Sequence, residues 1–183
     1  VSFSAGTDWL EHPGRGLEFP SVVVGSEDLI MISSTVLHRL YRAVSVDGGD
    51  HWSPATEVTR LISPESPAAL AWDVLPGDNR ELLLAMWNRN SRGAVGVEAR
   101  AGSVGVSETR GQDRLNLTLG ASDDGGVSWR IVGEVGQKAG TTYSYPGIHR
   151  CGDRLLCSYN VGRRRANRME TSFYLCSISN EMA

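Results

Sequence analysis

The sequence predicts an all-β chain built from small antiparallel sheets that repeat along its length. Three observations carry that prediction. Short apolar or alternating runs recur without helical period at residues 21–24, 29–33, 39–45, 82–87, 115–119, 155–159 and 172–178, and runs of this kind read as strands. Turn chemistry separates them: Asp47-Gly48-Gly49, Pro76-Gly77-Asp78-Asn79, Asp124-Gly125-Gly126 and Gly152-Asp153 supply residues that tolerate positive φ. Finally, Ser-x-Asp-x-Gly-x-x-Trp occurs twice, at residues 45–52 and 122–129.

The strands group into three similar units at about residues 17–58, 66–132 and 143–179 of a single segment, 1–183. Each opens near a proline, in Phe19-Pro20-Ser21, Ser66-Pro67-Ala68 and Tyr145-Pro146-Gly147. One small sheet cannot bury both of its faces alone, so repeats of this length stack as the blades of a β-propeller. About three blades of antiparallel four-stranded sheets are expected. Residues 88–113, rich in Gly, Ser, Ala and Arg, read as a surface loop, either a functional lid or a disordered segment.

In each repeated turn the aspartate can accept hydrogen bonds from its own backbone, the glycines supply the left-handed angles and the tryptophan packs alongside. Ser45, Asp47, Gly49 and Trp52 form one such set, and Ser122, Asp124, Gly126 and Trp129 the other. A calcium loop is the competing reading of Asp47 and Asp124. It requires further oxygen ligands in fixed register and a terminal Glu, which neither copy has. The turns are therefore expected to be structural.

With 183 residues, 40% of them hydrophobic and 21% charged, the chain can build one ordinary domain core. A net charge of -3 lacks the basic footprint of nucleic-acid binders, so DNA and RNA are not expected partners. No apolar run is long enough for a membrane span. The chain opens on Val1 without an initiator Met or a signal-type h-region, which reads as a processed or removed start. Cys151, Cys157 and Cys176 lack zinc-site spacing and read as small buried hydrophobes, with one pair open to bridging. The four histidines are scattered, so no metal and no cofactor is expected.

The repeated turns resemble the Asp-box, or BNR repeat, of the sialidase (neuraminidase) superfamily of six-bladed propellers. The resemblance extends to Glu18-Phe19-Pro20 opening the first unit, to Arg114-Leu115-Asn116-Leu117-Thr118 running into Ser122, and to Tyr143-Ser144 followed by Leu155-Leu156 and Tyr159. It implies the C-terminal half of such a propeller, with the remaining blades supplied by a longer chain or by a second copy. It also implies a sialoglycan or other carbohydrate partner and a secreted or cell-surface setting.

The resemblance further implies a chemistry. A ketosidic bond beside a carboxylate repels an anionic nucleophile, which a neutral tyrosine avoids. Phenol ionises only near a pKa of about 10, so a neighbouring carboxylate must take its proton. Tyr143 would be the nucleophile, Glu18 its base, and Arg114 one of the guanidinium groups that hold the sugar carboxylate. Tyr145 is the competing tyrosine. One departure stands out, because Ser33 and Ser34 occupy the place of an expected arginine, and Arg39 and Arg42 on the next strand are not assumed to replace it. The competing readings are an exo-α-sialidase incomplete in this chain alone, a propeller that binds glycan or protein without turnover, and a purely structural repeat.

Overall fold

The computed structural model describes residues 16–35, 37–74, 80–89, 114–152, 154–165 and 168–179. The expected loop at 88–113, beyond its first two residues, and the turn at 76–79 lie outside these. Among the described residues the chain is all β and contains no helix, so none is long and apolar enough to cross a membrane. The first sheet is β1 (Glu18–Val24), β2 (Leu29–Ser34), β3 (Arg39–Ser45) and β4 (Thr56–Ile62). The second is β5 (Ala69–Val74), β6 (Glu81–Asn88), β7 (Leu117–Ser122) and β8 (Arg130–Gly136), and the third is β9 (Thr141–Cys151), β10 (Arg154–Arg165) and β11 (Arg168–Ser179). Strands follow chain order within each sheet and every neighbouring pair is antiparallel.

Two sheets have the expected four strands, and the third has three among the described residues. Strands β4, β5, β8 and β9 extend the pattern beyond the apolar runs, because their sequences are polar, alanine-rich or interrupted by Gly and Pro. Strand β7 begins at Leu117 rather than two residues earlier, since Asn116 at φ 48° turns the backbone out of the extended region.

The sheets stack face to face, and the second lies in the middle. Leu83, Ala85 and Trp87 of β6 pack with Ile30, Ile32, Leu40, Val58 and Leu61 of the first sheet. The alternate residues Leu82, Leu84 and Met86 pack with Tyr143, Leu155, Cys157, Tyr159 and Val161 of the third. A strand buried on both faces has no reason to alternate, which accounts for the unbroken apolar run. Trp87 is completely buried in the first interface, and its Nε1–H donates to the Ile62 carbonyl at 3.3 Å. Its ring leaves room only for glycine on the neighbouring strand: a Cβ on Gly120 would lie 2.8 Å from the indole and 3.2 Å from the Arg130 carbonyl.

The backbones of neighbouring sheets approach one another most through β1, β5, β6 and β9, so the three proline-bearing units meet along their first strands. Two arginines add polar ties. Arg42 Nε of β3 donates to the Gly125 carbonyl of the second Asp-rich turn at 2.7 Å, and Arg150 of β9 pairs with the largely buried Asp73 of β5 at 2.5 Å. The expectation of three buried cysteines is corrected in part. Cys157 is buried and Cys176 half-buried, while Cys151 is exposed at the end of β9, and all three are free thiols.

The two Asp-rich turns close in the same way. Ser45 Oγ donates to Asp47 Oδ1 and accepts from the Gly49 N–H, and Ser122 Oγ does the same with Asp124 and Gly126. The carboxylates then accept the backbone N–H groups of His51 and Ser128, and the indoles of Trp52 and Trp129 donate to the Gly49 and Gly126 carbonyls. Gly48, Gly49, Gly125 and Gly126 all have positive φ. Both carboxylates are occupied by their own turn.

These bonds favour the ionised carboxylates. For Asp47 the His51 N–H comes first, followed by the His51 ring and the Ser45 hydroxyl, and together they hold its pKa well below the usual range. For Asp124, desolvation pushes upward, but bonds from Ser128, Ser122 and Val127 outweigh it and lower the pKa to about 2. A depressed folded-state pKa stabilises the fold fully above the unfolded value of 3.8 and ceases to do so as pH falls through about 2.

Two stability measurements follow. In urea unfolding at neutral pH, Gly120→Ala should lower stability by about 1–3 kcal/mol, as an overpacked interface does. On acidification between about pH 4 and pH 2, Asp124→Asn should lose less stability than the parent chain, because it starts without the ionised acceptor.

Candidate functional site

The antiparallel registers divide the molecule into two ends. The Asp-rich turns follow β3 and β7 at one end. At the other lie the beginnings of β1, β3, β7 and β9 and the ends of β2 and β6, and all three residues expected to carry chemistry, Glu18, Arg114 and Tyr143, stand there. They are distributed across the stack: Glu18 opens the first sheet, Arg114 precedes β7 of the second, and Tyr143 is the third residue of β9.

A buried polar lattice joins the second and third sheets here. Asn88, fully buried at the end of β6, donates from Nδ2 to the Tyr143 carbonyl at 3.0 Å and to the Leu115 carbonyl at 3.3 Å, while its Oδ1 accepts from Ser66 Oγ at 3.0 Å. The Tyr143 N–H donates to the Arg114 carbonyl at 2.7 Å. Sequence reasoning passed over Asn88 and Ser66. The available signal was a single amide closing the longest apolar run.

Arg114 is positioned by its neighbours on both sides. Its Nη2 donates to the Glu65 carbonyl at 3.2 Å, and its guanidinium carbon lies 5.4 Å from the centre of the Tyr145 ring, within cation–π range. Its Nε is buried and has no hydrogen-bond partner among the described residues. A buried donor left in that state is costly unless something else meets it.

The two tyrosines of β9 occupy opposite environments. Tyr143 is 6% exposed; its ring packs 6.0 Å from that of Tyr159, and its hydroxyl accepts the Lys138 N–H at 3.0 Å. The backbone at Gly136 comes so close to this ring that no side chain fits between them. Tyr145 is 59% exposed and has φ 53°. The cause is a bulge: Ser144 pairs with Asn160 and Gly147 with Ser158, so Tyr145 and Pro146 together face Tyr159.

The first sheet repeats the device. Glu18 pairs with Ser34 and Ser21 with Ile32, so Phe19 and Pro20 together face Ser33. Phe19 has φ 51° and is 41% exposed. Glu18 itself is half-buried, and its carbonyl accepts from Ser34 Oγ at 3.2 Å. Ser33 and Ser34 are both buried, and the Ser33 hydroxyl has no hydrogen-bond partner among the described residues. The nearby arginines are engaged elsewhere: Arg39 Nε pairs with Glu57 at 3.2 Å, and Arg42 reaches the opposite end, where it holds the second turn.

Stacked antiparallel sheets meeting along their first strands define this chain as a β-propeller segment. No family model matches the chain, and no curated protein does. Among solved structures it is similar to the sialidase of Trypanosoma rangeli in complex with sialic acid, with 14% identity and a TM-score of 0.56 over 84% of this chain. It spans only 22% of that sialidase chain. It is also similar to a protein of unknown function from Dyadobacter fermentans, with 12% identity and a TM-score of 0.53, covering 89% of this chain and 48% of that one. Likeness at such identity extends to the propeller fold.

Proposed function

We propose that this chain is part of a sialidase-like, carbohydrate-recognising propeller, and that the strand ends around Arg114 receive the carboxylate of a terminal sialic acid. The observation that carries this reading is Arg114 itself. Its guanidinium is fixed on the Glu65 carbonyl and the Tyr145 ring, with a buried Nε left to be met. A planar fork held in this way is suited to a carboxylate. The sialic acid bound to the T. rangeli enzyme supports the choice of ligand by analogy. Further blades, from a longer chain or a second copy, would cover the outward faces that carry exposed Val22 and Val24 on the first sheet and Phe173 and Leu175 on the third.

Two chemistries fit this ligand. In hydrolysis, the Tyr143 oxygen would attack the anomeric carbon as Glu18 takes the phenolic proton, and the glycosidic oxygen would leave as the alcohol with a proton from a general acid that further blades would have to supply. Water, deprotonated by that same group, would then displace Tyr143, which regains its proton from Glu18, with net retention. That route requires the Tyr143 hydroxyl to leave the Lys138 N–H and to meet a carboxylate that opens a different sheet. Binding without turnover requires neither. The burial of Tyr143 and the serines at positions 33 and 34 favour it.

Calorimetric titration with the methyl α-glycoside of N-acetylneuraminic acid, alongside turnover of a fluorogenic sialoside, tests both. The expected result is saturable binding without turnover, weakened about tenfold or more in Arg114→Ala and unchanged in Tyr143→Phe. Turnover that disappears in Tyr143→Phe would establish the hydrolytic route instead. Absence of binding to the parent chain would overturn the sialoside reading.

A further inference from the structure

We propose that Phe19 and Tyr145 form a pair of sugar-stacking walls at the ligand end, with the sialic acid ring against Tyr145 and the next ring of the glycan toward Phe19. The proposal rests on the carbohydrate reading above and adds to it a site for the sugar beyond the terminal one. It starts from a coincidence of four properties. Both residues are aromatic, both precede a proline, both sit in a two-against-one bulge on the first strand of their sheet, and both have φ near +50°.

A bulky side chain in the left-handed region is an outlier, and a following proline disfavours compact backbone conformations further. Glycine would relieve the conflict at either place. The strain is therefore retained for what the side chains do. A regular strand would place Tyr145 on the same face as Tyr143, two residues earlier, inside the core. The bulge instead sends its ring into solvent, and the one in β1 leaves Phe19 exposed in the same manner. Backbone strain that delivers a side chain to the surface is characteristic of ligand sites.

The middle repeat completes the shape. At the matching position before its proline it carries Ser66, which is small, fully buried and hydrogen-bonded to Asn88. Phe19 thus stands exposed on the first sheet and Tyr145 on the third, with the small Ser66 at the matching place before the middle one. Pyranose rings present C–H faces that pack on aromatic rings, while their hydroxyl edges and carboxylate need a few fixed polar partners. Arg114, over one face of Tyr145, supplies the anionic partner next to one wall. The occupant that fits is an anionic glycan of at least two rings.

The probes are the methyl sialoside and α2,3-sialyllactose, titrated against the full chain, the four ring variants below and Arg114→Ala. Tyr145→Gly should weaken both ligands about tenfold, and Phe19→Gly should weaken sialyllactose by a similar factor while leaving the methyl sialoside unchanged. Both glycine variants should melt at or above the parent temperature, because the strain is released. Tyr145→Phe and Phe19→Tyr keep the rings and should bind within about twofold of the parent. If the glycine variants bind sialyllactose as tightly as the parent while Arg114→Ala does not, the walls are wrong and the sialoside site stands. Glycine variants that lose melting temperature together with binding would mark the rings as structural and overturn the proposal. So would ring-keeping variants that fail to bind, and a parent chain that binds neither probe would remove both readings.

Discussion

A small antiparallel sheet has two faces and too little chain to cover either, and the rest of this structure follows from how the middle sheet meets that constraint. Strand β6 presents Leu83, Ala85 and Trp87 to one neighbour and Leu82, Leu84 and Met86 to the other. Because both interfaces pass through one strand, changes there are felt on both sides. The Trp87 ring dictates glycine at position 120, and the end of the strand places Asn88 where it can bind the Tyr143 and Leu115 carbonyls together. The packing that joins the blades is thus also what positions the residues at their ends.

The two ends of the stack divide the labour. At one, the Asp-rich turns satisfy their own backbone, and Arg42 and Arg150 tie neighbouring sheets together, while Trp72 Nε1 is buried there without a hydrogen-bond partner among the described residues. At the other, two aromatic residues are held at positive φ, and the Arg114 Nε and the Ser33 hydroxyl are buried without hydrogen-bond partners among the described residues. Strain and unmet donors are destabilising by themselves, and they concentrate where ligands bind. The tightly bonded end lets the open end carry that cost.

Much of the fold was legible in the sequence because its signals are local. The run over β3 and both Asp-rich turns declare themselves through alternation and through glycines that need positive φ. Strands β4, β5, β8 and β9 did not, since polar or glycine-bearing strands owe their pairing to neighbours distant in sequence. At the candidate site, the resemblance pointed to Glu18, Arg114 and Tyr143, which stand at one end of the molecule, but could not separate Tyr143 from Tyr145. Residues two apart on a strand normally share a face, and only the register slip opposite Tyr159 shows that one lies in the core and the other in solvent. Arg42 likewise reads as a spare guanidinium until its bond to the Gly125 carbonyl is seen.

The central claim is that ligand recognition lives at the strained end and the Asp-rich turns are scaffold. Mapping amide chemical shifts during titration with sialyllactose tests it most directly. The account predicts that the largest changes fall on Phe19, Ser66, Arg114 and Tyr145, while the amides of Gly48, Gly49, Gly125 and Gly126 hold their positions. Shifts concentrated at those glycines, with the strand ends unmoved, would contradict it.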